Sequence, residues 1–222
     1  MKKIILALLI ALSIAIIMTA CSNEVDYVPI IEESEEVEEV EEIEEPEPLT
    51  SAEIGLFQAA VRQMQVSYDE IDRKYAIFGA MDITTASREA GFLLQLNVLA
   101  DGRAGFGFII TYRGDGWIFF DEIVLAIDEE RITISNISPN EKATDIIRGS
   151  TVSEHYAIRA EYVIPILEQI ADANAVTIRL RGDRTVDGEL TAQELTNISI
   201  ILRIHDMLQQ HPELVNYIEV PE

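Results

Sequence analysis

Near the C-terminal end of the chain, Asp183, Thr185, Asp187, Glu189 and Glu194 place oxygen-bearing side chains around Gly188 at intervals that suit a hard cation. Calcium takes about 6–8 oxygen ligands around a sharp glycine turn, closed by a carboxylate that binds through both oxygens. Over 183–194, acids stand at the first, fifth and twelfth positions and glycine at the sixth, which is the required order.

The stretch resembles an EF-hand loop at those positions and departs from it at two points. Thr185 stands where a third-position carboxylate or amide is needed, and Val-Thr-Ile-Arg-Leu-Arg (176–181) before it reads as a strand, not an entering helix. A competing reading needs no ion: 183–191 is a strand-to-helix turn, Thr191 caps the helix, and Glu194 completes a capping box. A calcium-dependent structural module is therefore one alternative for the chain.

Catalytic chemistry finds less support. The three histidines, at 155, 205 and 211, are scattered, and no serine in a nucleophile-elbow context accompanies them. Paired carboxylates of a hydrolase stay open as a second alternative, because an acid-rich chain offers many pairs. Tyr112, Trp117, Phe119 and Phe120 suit the lining of a sugar or peptide groove, but alternation turns some of them inward: Trp117 reads as an anchor at the core or rim, and Phe119 and Phe120 fall on opposite faces of an extended segment. Arg-Gly-Asp occurs at 113–115 and again at 181–183, both times where a turn is expected.

Met18-Thr19-Ala20-Cys21 follows an apolar run, Ile4 to Met18, that starts directly behind Lys2 and Lys3. Basic start, short apolar middle and small residues before a cut are the parts of an export signal, and 15 residues are few for a spanning helix. The four residues resemble the lipobox of bacterial lipoproteins, although Met18 stands where leucine is usual. That resemblance implies removal of 1–20 and a diacylglycerol on the Cys21 thiol. Two or more chains anchor firmly, since each buried methylene contributes about 0.8 kcal/mol. Cys21 is the only cysteine, so no internal disulfide is expected in an exported chain. The expected location is the extracytoplasmic face of the cell membrane, or an outer membrane where the host has one.

Residues 22–48 carry 13 acids and no base, with Glu-Glu-Val-Glu-Glu-Val-Glu-Glu-Ile-Glu-Glu at 35–45. Such a block buries too little apolar surface to offset the cost of ordering, so 21–48 reads as a disordered tether of about 30 Å mean span. The remainder, 49–222, holds 27 acidic and 14 basic residues, a net charge of −13. A nucleic-acid partner is excluded, because phosphate binding needs a basic face.

Residues 49–222 suit a single domain. Thr50-x-x-Glu53 opens a helix over about 52–64. Strands are expected at 75–78, 92–99, 104–113, 117–127, 131–137, 152–159 and 176–181, with helices at 161–173 and 191–210. Short connections favour an antiparallel meander. The fold class is thus α+β, an antiparallel sheet with helices against it. From Trp117 on, a Trp-x-Phe strand, an Asp-Glu-Glu turn, a Ser-Glu-His strand, a helix, Val-x-Ile-Arg-x-x-Gly (176–182) and a last helix follow in an order that resembles an uncharacterised domain of bacterial secreted proteins and lipoproteins, which implies no activity. The composite expectation is a lipid-anchored, non-enzymatic module that binds a protein, peptide or glycan.

Overall fold

Every second residue from Ala90 to Val98 is apolar and buried, and that period of two makes Ala90–Leu99 (β3) the spine of the molecule. The computed structural model describes residues 48–79, 89–148 and 151–220. The signal segment, Cys21 and the acidic stretch up to residue 47 lie outside the described residues. The described residues belong to one compact unit.

A six-stranded antiparallel sheet runs in the order β1-β2-β3-β4-β8-β7. Its strands are Gln65–Asp69 (β1), Lys74–Phe78 (β2), β3, Ala104–Gly114 (β4), Lys142–Arg148 (β7) and Thr151–Ala157 (β8). A second, four-stranded antiparallel sheet runs β10-β9-β5-β6, from Thr185–Glu189 (β10), Val176–Arg181 (β9), Glu122–Ile127 (β5) and Glu130–Ile134 (β6). Among the described residues three α-helices, Ser51–Val61 (α1), Ala160–Ala171 (α2) and Ala192–Gln210 (α3), complete the α+β fold. α2 and α3 pack on β4, while β9 and β10 meet β3. One core results, centred on Leu94, Leu96, Phe108, Ile110, Leu125 and Leu180.

The helix starts follow from local chemistry. Thr50 and Thr191 each accept their N3 amide, and Glu53 and Glu194 answer with a carboxylate to the cap amide, so both capping boxes are formed. Pro165 lies inside α2, yet the helix runs on to Ala171.

Several expectations are corrected. The meander holds for β1 to β4 only; the chain then leaves to build part of the second sheet before β7 and β8 return to the first. β1, β7 and β10 were not legible as strands. Residues 117–127 are not one strand: only Glu122–Ile127 is, for a reason given below. The β3–β4 register runs unbroken from Ala90↔Tyr112 to Val98↔Ala104.

The two-residue β5–β6 turn is clamped to the segment that follows α2. Asp128, at φ +49, accepts the amides of Asn174 (3.1 Å) and Ala175 (2.9 Å). The Asn174 amide above all, then that of Ala175, holds its carboxyl below the usual value of 3.8. A depressed folded value means stability that is full above 3.8 and is lost as pH falls through the folded value. Asp128→Asn tolerates the same backbone but accepts only neutral hydrogen bonds. Its thermal midpoint is expected below wild type at pH 7, with the gap closing as the pH drops beneath 3.8.

Candidate functional site

A carboxylate buried in apolar surroundings needs partners for both oxygens, and Glu154 on β8 has them. Glu154 is fully buried, and its Oε1 accepts the amides of Ile118 and Phe119, both at 2.8 Å. Its Oε2 takes Lys142 Nζ at 3.1 Å; the same ammonium donates to the Phe120 carbonyl at 2.5 Å and lies 4.5 Å from the centre of the Phe120 ring. The pair thus grips the backbone of residues 118–120 through two amides and one carbonyl.

That grip explains why the expected strand breaks. Two successive amides cannot point to one acceptor in extended backbone, where they alternate in direction. Phe119 accordingly adopts φ +49, a left-handed conformation that costs a non-glycine residue about 1–3 kcal/mol. The outcome is an aromatic side chain held outward. Phe119 is 58 % exposed and stacks on Trp117 with ring centres 6.2 Å apart and planes 25° from parallel. Phe120, one residue on, is fully buried, so the opposite facing of the two rings is as expected.

Two further supports hold the segment. Below it, Tyr112 is buried, donates to the Gly116 carbonyl (2.7 Å) and accepts from Arg184 (2.7 Å). Arg184 makes two hydrogen bonds to Glu89, and that contact chiefly holds the Glu89 carboxyl below its ordinary value. Beside it, the Asp183 amide donates to the Ile118 carbonyl (2.7 Å) and the Asp121 amide to that of Arg181 (2.9 Å). Both Arg-Gly-Asp copies are therefore structural at glycine: a Cβ on Gly182 would collide with the Ile118 carbonyl, and one on Gly114 with the Tyr112 hydroxyl. Of the four aromatics singled out in the sequence, Tyr112 and Phe120 are buried in the core, Trp117 is half-buried and packs against it, and Phe119 is exposed; Trp117 and Phe119 together form the candidate platform.

The calcium candidates are placed differently from a loop. Thr185, Asp187 and Glu189 are alternate outward residues of strand β10, and Gly188 is buried against the Ala90 carbonyl. Asp187 accepts from Arg179 Nε and Nη2, each at 2.7 Å, which lowers its carboxyl, and Glu194 belongs to the Thr191 capping box. Asp183 lies in the β9–β10 turn. Among the described residues no group of three or more acids, histidines or cysteines is placed to hold a metal ion.

One chemical pair was missed. His155 Nε2 lies 3.0 Å from Ser153 Oγ, with Asp145 opposite Ser153 in the β7–β8 register. Alternation along β8 puts serine and histidine on the same face, a signal present in Ser-Glu-His-Tyr. Ser153 is buried in mid-sheet, paired with Arg113 of β4 on one side and Asp145 of β7 on the other. His205 packs on Phe106 with its Nδ1 3.2 Å from Asp206, and His211 caps the C-terminal end of α3 with its Nδ1 3.7 Å from Glu213. No described helix is long and apolar enough to cross a membrane. No family model, curated protein or solved structure matches the chain.

Proposed function

We propose that this chain is a lipid-anchored, extracytoplasmic, non-enzymatic binding module whose ligand, a protein, peptide or glycan, lays a flat face on Trp117 and Phe119. The observation that carries the reading is the strained, exposed Phe119, held in place by the buried Lys142–Glu154 pair. A glycine at 119 would meet the backbone demand without strain, so the ring is a cost to the fold with a return elsewhere. Exposed aromatic faces suit sugar rings and peptide side chains, where one end is apolar and the other wet. Support for the address comes from the sequence: Cys21 after Met18-Thr19-Ala20, then an acidic stretch between anchor and domain.

Phe119→Gly is the variant of choice. Relief of about 1–3 kcal/mol of strain is offset by about 0.5–1 kcal/mol of added unfolded-state freedom and about 0.5–1.5 kcal/mol of lost ring stacking, so the variant is expected to fold about as stably as wild type. Photo-crosslinking from position 115, beside the platform, in intact cells should then give a defined adduct with Phe119 and none with Phe119→Gly. Equal adducts from both would overturn the role of the platform. In the same cells, mass spectrometry of the membrane fraction should find Cys21 at the mature N-terminus bearing acyl chains; an unmodified thiol would remove the anchor from the account.

A further inference from the structure

A second surface, separate from the platform, has a different chemistry. Between β6 and α2 runs a groove of about 610 Å³. Its floor is Ile132, Ile134, Tyr156 and Ile166, and Tyr162 and Arg159 stand at its rim. β6 is the outermost strand of its sheet, paired on one side only, with β5.

The register fixes which backbone groups face the groove. Ile127 pairs with Glu130 across a two-residue turn, so this is the first hydrogen-bonded pair, followed by Leu125↔Ile132 and Ile123↔Ile134. Arg131, Thr133 and Ser135 therefore turn their amides and carbonyls away from β5. Among the described residues no strand pairs with that edge. Thr133 and Ser135 line the groove together with the inward side chains of Ile132 and Ile134. A bare edge with an apolar trough beside it matches one class of occupant, an extended chain that supplies both a ladder and alternate apolar side chains.

We infer that this groove binds an extended, neutral-to-basic segment of a partner protein by adding it as a fifth strand to the β10-β9-β5-β6 sheet. Charge selects the partner. The domain carries a net −13; Glu130 stands beside Arg131 on the edge strand, and the groove's own charged lining, Glu141 and Arg159, forms a pair 3.6 Å apart that leaves the trough itself neutral. The chain's own acidic stretch is a poor occupant: it repels this surface, and Val37, Val40 and Ile43 recur every third residue where a strand needs every second.

The test uses the full chain in detergent micelles and four capped heptapeptides, alternating valine with lysine or with glutamate in either phase. Hydrogen exchange is read at single amides. A lysine peptide is expected to slow exchange at Arg131, Thr133 and Ser135 at least tenfold. Its glutamate counterpart should bind at least tenfold more weakly. Methylating the peptide's alternate nitrogens should abolish protection in one phase and spare it in the other, which requires no change to the protein. Thr133→Pro, which removes only an outward amide, should abolish it too. Phe119→Gly should leave it intact. Protection by no peptide, equal binding of the methylated forms, or protection of the same amides by a second copy of the chain alone would each overturn the proposal.

Discussion

Glu154→Ala is expected to destabilise the domain by about 3–5 kcal/mol, because it leaves the Lys142 ammonium buried and unpaired. Lys142 is 5 % and Glu154 0 % exposed at the side chain, so water cannot take over either role. The loss exceeds that of an ordinary core truncation for a second reason: the amides of Ile118 and Phe119 lose their acceptor together. Platform and stability should therefore fail as one. The companion change Lys142→Met relieves the unpaired charge but restores no acceptor. The double variant is thus expected to recover part of the loss, with Trp117 and Phe119 still unstacked. Chemical denaturation gives the energies, and near-ultraviolet circular dichroism of the single tryptophan reports the stacking. A double variant with wild-type stability and spectrum would show that the ion pair does not organise the segment.

Gly182→Ala is the second large effect. The added Cβ would collide with the Ile118 carbonyl and lie 2.8 Å from the Phe120 backbone. Both neighbours are main chain, so no rotamer change relieves the contact, and the cost should reach the upper end of overpacking, about 3 kcal/mol. What moves is residues 118–120, hence the same loss of Trp117–Phe119 stacking with the ion pair intact. Gly116→Ala is the control, since nothing lies within 4 Å of a Cβ there. It should leave the melting temperature and spectrum unchanged.

Regular elements of this fold were largely legible where periodicity was strong. Phe92 to Leu99 is rich in large apolar residues and ends at Asp101-Gly102, Val176 to Arg181 alternates plainly, and the Thr50 and Thr191 capping boxes announce their helices. β7 and β10 were not, because Lys-Ala-Thr-Asp-Ile-Ile-Arg and Thr-Val-Asp-Gly-Glu show no sustained apolar alternation and are set by pairing with β8 and β9. The 183–194 stretch shows the cost of reading spacing alone: acids two apart share a face of a strand as readily as they wrap a cation. Half of the site was visible too. The aromatic cluster stood out by composition, but Glu154 and Lys142 lie 12 residues apart in a polar stretch, and only the fold brings them under residues 118–120. Breaking of the expected 117–127 strand is the result of that tertiary contact, which outweighs the β propensity of Trp-Ile-Phe-Phe.

Trp117, the only tryptophan, is half of the platform and reports on it directly. Titrating the full chain with envelope material separated into protein and glycan fractions, while following Trp117 emission, tests the central claim. The account predicts a saturable change with one fraction, weakened at least tenfold in Phe119→Gly at an unchanged unfolding midpoint, and no breakdown of the bound material. An equal response from both proteins, or turnover of the added polymer, would contradict it.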